Sequence, residues 1–195
     1  PEDWERVTME NGRVVELSLY GFGLTGAVPA EIGQLTLLRV LQLGDNKLTS
    51  LPAEIGQLTS LMVLELRGNQ LTSLPAEIGQ LTSLGGWLNL SDNKLTSLPA
   101  EIGQLTSLKE LDLSDNQLTS LPAEIGRLTS LTHLSLHDNQ VTSLPAEFGR
   151  LRELGCELSL DDGVTIEGEN FSTYAGSESD SDSDYSDTDS GSYVD

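Results

Sequence analysis

Thirteen residues, TSLPAEIGQLTSL, recur unchanged at 49–61, 72–84 and 96–108. Between the copies runs a second phrase of the form LxxLxLxxNxL, seen in Leu61, Leu64, Leu66, Asn69 and Leu71. Together they form a unit of 23 residues, lengthened to 24 where one residue is inserted. Self-similarity at such a period specifies a solenoid, because each unit can bury its apolar face only against the next. The expected architecture is α/β: a parallel concave sheet with short helical or 3-10 turns on the convex side.

The leucines of the second phrase alternate as a half-buried strand requires. Strands are expected around Leu41, Leu64, Leu88, Leu111 and Leu134, each followed by an asparagine at Asn46, Asn69, Asn93, Asn116 and Asn139. A sharp turn after the strand leaves backbone groups unpaired inside the coil, and a stacked amide side chain can satisfy them. The return segment opens at Pro52, Pro75, Pro99, Pro122 and Pro145, where proline can start a helical turn. Gly56 and its counterparts are expected to end that turn, with Ile55 and Leu58 facing inward.

Residues 1–13 precede the array as an N-terminal cap, with Trp4 expected to cover the open end and Asn11-Gly12 to turn into the first strand. The array itself spans 14–163, about seven coils. Phe22 stands at the asparagine position of the first coil, and Gly163 at that of the last. LGGWL at 84–88 and LGCEL at 154–158 each carry an extra glycine, consistent with a bulge where the strand begins. Residues 164–176 form a candidate C-terminal cap with Val164, Ile166, Phe171 and Tyr174. From 177 to 195 the chain becomes SESDSDSDYSDTDSGSYVD, an acidic composition expected to be disordered.

LPxEIGxLxxLxxLxLxxNxL resembles the intracellular leucine-rich repeats of Ras-pathway scaffolds, Scribble-type polarity proteins and plant Ras-group-related proteins. The likeness covers roughly residues 25–163. It implies a horseshoe that is not catalytic and holds a small GTPase, a phosphatase subunit or another signalling protein on its concave face. The first repeat, with LTGAVP, resembles the plant receptor variant instead, which leaves an extracellular recognition domain as the alternative. An array ending in an acidic tail also resembles the acidic nuclear phosphoproteins, whose repeats lack LPxEIG.

The formal net charge of −21 argues against nucleic acid and anionic membranes as partners and favours basic proteins. No Lys or Arg follows Arg152, so the imbalance is concentrated toward the C-terminus, and the tail could itself capture basic proteins. Ser177, Ser179, Ser181, Ser186 and Ser192 each have an acid three residues on, a pattern suited to acidophilic kinases. The single cysteine, Cys156, excludes an internal disulfide and points to a reducing, cytoplasmic setting. Two glycosylation triplets, at Asn89 and Asn170, would matter only in a secreted chain. The chain opens on Pro1, so an upstream leader or domain would lie outside it. No apolar run is long enough to span a bilayer.

The third, fifth and seventh positions of the strand phrase vary while the leucines do not, and they are expected to face the concave side. Partner binding is assigned to Val40, Val63, Arg67, Trp87, Glu110 and His133, with Trp87 the sharpest candidate. Two readings of Trp87 stay open: an exposed apolar anchor, or a ring folded over the glycine bulge. Asp45, Asp92, Asp115, Asp138 and Asp162 form another column, read as solvated turn residues. His133 and His137, about 13 Å apart along a strand, cannot share one metal. No nucleophile motif is present, and no cofactor, metal or catalytic residue is assigned.

Overall fold

The computed structural model describes residues 6–168. In chain order the elements are β1 (Val7–Glu10), β2 (Arg13–Ser18), β3 (Thr25–Ala27), β4 (Val40–Gln42), β5 (Lys47–Ser50), β6 (Val63–Glu65) and β7 (Trp87–Asn89). There follow β8 (Glu110–Asp112), β9 (His133–Ser135), β10 (Ser143–Leu144), α1 (Glu147–Glu153), β11 (Glu157–Ser159) and β12 (Thr165–Ile166). Eight strands make one sheet in the order β1-β2-β4-β6-β7-β8-β9-β11. From β2 onward every pairing is parallel and in coil register, Glu16 beside Val40, Val40 beside Val63, and Glu110 beside His133.

The register puts leucine on leucine. Leu41, Leu64, Leu88, Leu111 and Leu134 are at most 1% exposed, and Ile55, Ile78, Ile102 and Ile125 fill the core from the opposite side. Burying one such side chain contributes roughly 1.5–3 kcal/mol, so stacking of like coils carries the fold. The first coil has another full coil on one side only, and its Leu17, Leu19, Leu24 and Ile32 remain partly exposed.

The asparagines tie coil to coil. Asn93 donates from Nδ2 to the carbonyls of Leu90 and Ser91 in its own coil and of Leu66 in the preceding one. Its Oδ1 accepts the N–H of Leu71, again in the preceding coil. Asn46, Asn69, Asn116 and Asn139 repeat the pattern. Because each amide serves its own coil and the one before, Phe22 can replace asparagine in the first coil: Asn46 already reaches back to Leu19 and Leu24. Phe22 is half exposed beneath the Arg6 guanidinium. In the last coil, the Asp161 carboxylate accepts the N–H groups of Asp138 and Asn139, which in the inner coils bond backbone carbonyls of the next coil.

On the convex side, 3-10 turns run over Ala30–Gln34, Ala53–Gln57, Ala76–Gln80, Ala100–Gln104 and Ala123–Arg127, each capped by a proline. The expected turn-ending role of their glycine is not what the structure shows. Gly56, Gly79 and Gly103 do not have left-handed backbones; a Cβ on them would lie 2.4–2.7 Å from a backbone carbonyl of the next coil. Glycine is needed there for close approach. The last return is a true α-helix, α1, in which Phe148 replaces isoleucine and is fully buried.

The N-terminal edge is covered by β1, which folds back antiparallel on β2 through Asn11-Gly12, both with positive φ. Trp4, assigned to that cap from sequence, lies outside the described residues. At the other end Ile166 is buried and β12 pairs with β10, whereas Phe171, Tyr174 and the 177–195 tail lie outside the described residues. Among the described residues no helix is long and apolar enough to cross a membrane.

Candidate functional site: the concave face

All six residues assigned from sequence lie on or directly after strands of the eight-stranded sheet. Val40 sits beside Val63, and Trp87, Glu110 and His133 form one row across β7, β8 and β9. The extra Gly86 delays pairing between β6 and β7 until Leu64 meets Leu88, so Trp87 has no strand partner on the β6 side. Gly86 instead donates to the carbonyl of Met62 and accepts the N–H groups of Lys109 and Glu110. Its place is tight, for a Cβ there would lie 2.9 Å from the Met62 carbonyl. Trp87 is 40% exposed.

Trp87 and Arg67 share a basin of about 350 Å³ with Tyr20, Gln42, Glu65 and Asn89. Glu65 and Asn89 were placed in a variable outward column by sequence but not among the binding residues, and both are buried, at 8% and 3% exposure. The cause is local. A carbonyl oxygen or carboxylate at the fifth position turns back to accept the N–H two residues on: Arg67 to Glu65, Ser91 to Asn89, and Ser114 to Asp112. The expected simple alternation of inward leucines and outward polar residues therefore fails at Glu65, Asn89, Ser91 and Ser114, all buried.

Burial pushes the Glu65 carboxyl above its ordinary value, against the opposing hydrogen bonds of the Arg67 N–H and the Asn89 amide. The Arg67 guanidinium lies 3.7 Å from Asp92, and the Tyr20 hydroxyl donates to Asp45 at 2.5 Å. Tyr20 is accordingly held above its usual range by that bond to Asp45.

The aspartate column has a backbone cause. Asp45, Asp92, Asp115 and Asp138 have φ between 51° and 57°, a left-handed turn that aspartate, asparagine and glycine tolerate best. Gly68 holds the same place in its coil with φ 67°. Asp162 does not continue the column, since Gly163 takes the positive φ there.

The two histidines are separately engaged. His133 Nε2 lies 3.4 Å from Glu157, and His137 Nδ1 lies 2.8 Å from Asp138. The bond to Asp138, with Asp115 and Asp112 nearby, raises the pKa of His137. Asp115, His137 and Asp138 place one potential ligand atom each within 4.8 Å of the others. The trio is open to solvent, and its imidazole nitrogen is already bonded to one of the carboxylates.

A larger groove, of about 580 Å³, lies away from this face at the strand entrances, where Leu37 and Met62 stand beside Arg13 and Arg39. Arg39 is paired with Glu10. Cys156 is buried, and desolvation raises its thiol to about 11, far from a reactive thiolate.

Stacked coils, a parallel concave sheet and an asparagine ladder define a leucine-rich-repeat solenoid whose open face is built for contact. A model of leucine-rich repeat regions matches residues 10–115 and 86–166, and the chain belongs to that family. Among solved structures it is similar to the ectodomain of the Arabidopsis receptor kinase HAESA, in complex there with an IDA peptide hormone. That likeness has 29% identity and a TM-score of 0.72, and covers 85% of this chain and 29% of the other. It is similar also to the GASSHO1/SCHENGEN3 ectodomain from Arabidopsis thaliana, solved with CASPARIAN STRIP INTEGRITY FACTOR 2, at 30% identity and TM-score 0.61, over 84% of this chain and 23% of that one. A chain of the Arabidopsis BIR3–SERK2 complex matches at 29% identity and TM-score 0.58, over 71% and 80%. The chain thus spans under a third of the two longer ectodomains. No curated protein matches it. Leucine-rich repeats of this kind serve protein–protein contact and are typically not catalytic.

Proposed function

We propose that the protein is a non-catalytic interaction module that binds a protein or peptide on its concave face, with Val40, Val63, Arg67, Trp87, Glu110 and His133 in contact. The observation that carries this reading is the basin in which a 40%-exposed tryptophan and an arginine stand together above a buried floor of Glu65 and Asn89. Trp and Arg are the side chains most enriched at energetic centres of interfaces, and a preformed floor lowers the ordering cost of binding. The test is affinity for a captured partner: Trp87→Ala and Arg67→Glu should each weaken binding at least tenfold with circular dichroism unchanged. Undiminished affinity would move the site elsewhere.

The finer choice lies between an intracellular signalling scaffold and a recognition domain of plant receptor type. LPxEIG supports the first, with a small GTPase or phosphatase as the partner class. LTGAVP and the solved plant ectodomains support the second. Asn89 bears on the choice: its side chain is buried and its Oδ1 accepts from Ser91, so a glycan there would require the turn to open. Glycan on Asn89 of the cell-derived protein would favour the receptor reading; an unmodified Asn89 and Asn170 would favour the intracellular one.

A further inference from the structure

The concave face changes character at Trp87. Before it, Tyr20, Val40, Val63 and the tryptophan offer partly exposed apolar surface. After it, the third, fifth, seventh and eighth positions of the coils from β7 to β11 contain no Lys or Arg, while Asp92, Glu110, Asp112, Asp115, Asp138 and Asp161 all fall there. The guanidinium that faces this half is Arg67, held beside Asp92, and the two histidines are each set against a carboxylate. Neighbouring strands lie about 4.8 Å apart, so these carboxylates repel one another across the sheet. A basic occupant would relieve that repulsion.

We propose that the occupant of this face is an extended polypeptide segment with an apolar side chain against Val40, Val63 and Trp87 and Lys or Arg side chains against Asp112, Asp115 and Asp138. This rests on the concave-face reading above and adds the chemistry of the partner. The four strand spacings from β4 to β9 amount to about 19 Å, which about six extended residues cover. Exposed ion pairs are individually weak, so the apolar contact at Trp87 supplies the anchor and the carboxylates supply orientation and selectivity.

The decisive variants are structurally gentle. Asn89 makes the same turn as Asp112, and asparagine tolerates the left-handed backbone of Asp115, so Asp112→Asn with Asp115→Asn keeps the coil and removes two charges. The probe is a fluorescein-labelled eight-residue peptide with leucine at one end followed by alternating lysine and serine, made in both directions and as versions with glutamate for lysine. Anisotropy with the full chain should show one lysine peptide bound at least tenfold tighter than its glutamate counterpart. That preference should fall at least tenfold in the double variant and at high salt, and overall affinity at least tenfold in Trp87→Ala.

Equal binding of lysine and glutamate peptides, or none of either, overturns this inference. So does loss of binding on changing Asp180, Asp182 and Asp184 together to asparagine while the concave double variant binds normally, since that locates capture in the tail. If Trp87→Ala weakens a captured partner but Asp112→Asn with Asp115→Asn does not, the basic-partner claim fails and the concave-face reading survives.

Discussion

The inside of each coil and the concave strip above it are cut from the same short strand, yet they follow opposite rules. Inside, Leu64, Leu88, Leu111 and Leu134 repeat a single side chain, and every asparagine repeats the same bonds. On the strip, Val63, Trp87, Glu110 and His133 share nothing except their place. The interior is constrained by each neighbour on both sides, whereas the strip faces solvent and can be rewritten coil by coil. In a repeat protein the departures from the repeat are therefore the place to look for function.

The largest expected effect comes from breaking the inside. Asn93→Ala leaves the Leu71 N–H without its buried partner and takes one of two donors from the carbonyls of Leu66, Leu90 and Ser91, so the loss should be about 3 kcal/mol in urea unfolding, the upper end for one orphaned group. Gly103→Ala should follow at about 2 kcal/mol, because the new methyl would sit 2.4 Å from the Glu124 carbonyl. Trp87→Ala, on the same coil as Asn93, should change stability by less than about 1 kcal/mol while weakening partner binding. If it destabilised as much as Asn93→Ala, the contrast between inside and strip would be wrong.

Glu65 belongs to both worlds and sharpens the comparison through pH. Its carboxyl is raised in the folded chain by burial, so the charged form is disfavoured there: the contribution of Glu65 to stability is fully present below the unfolded value and is lost as pH rises through the folded one. Glu65→Gln should remove that decline, leaving the variant equal to or more stable than the parent at neutral pH by chemical denaturation. The smallest effect is at His137, whose NMR titration should lie above the ordinary imidazole range because of its bond to Asp138; Asp138→Asn should lower it. His137 is mostly solvated, so unfolding midpoints should barely register the change.

The period made the scaffold legible: sheet, prolines, leucines and asparagines follow from a repeat of 23 residues, because one stacking solution satisfies every copy. The glycine of AEIGQ was misread because its role depends on the adjacent coil's backbone, which no local signal reports. The strip was legible as a face, since alternation fixes direction, but the burial of Glu65 and Asn89 was not. Both turn back to bond the N–H two residues on, and the spacing of an acceptor before Arg67 and Ser91 was the available signal. The 40% exposure of Trp87 depends on how Gly86 anchors to Met62, a tertiary contact. The hairpin strand β1 was expected only as a cap, and α1 only as one of the short helical or 3-10 turns; Arg-Glu in place of Thr-Ser favours the longer helix.

The backward reach of each amide gives the array a polarity. Deleting the opening coil would cost Asn46 two contacts and leave its remaining acceptors, Leu43 and Gly44, in place. Deleting the coil that holds Asn139 would instead strand the Leu118 N–H in the interior. Shortening from the two termini is thus unequal, and loss of order in this chain should start at the end that has no later amide to hold it.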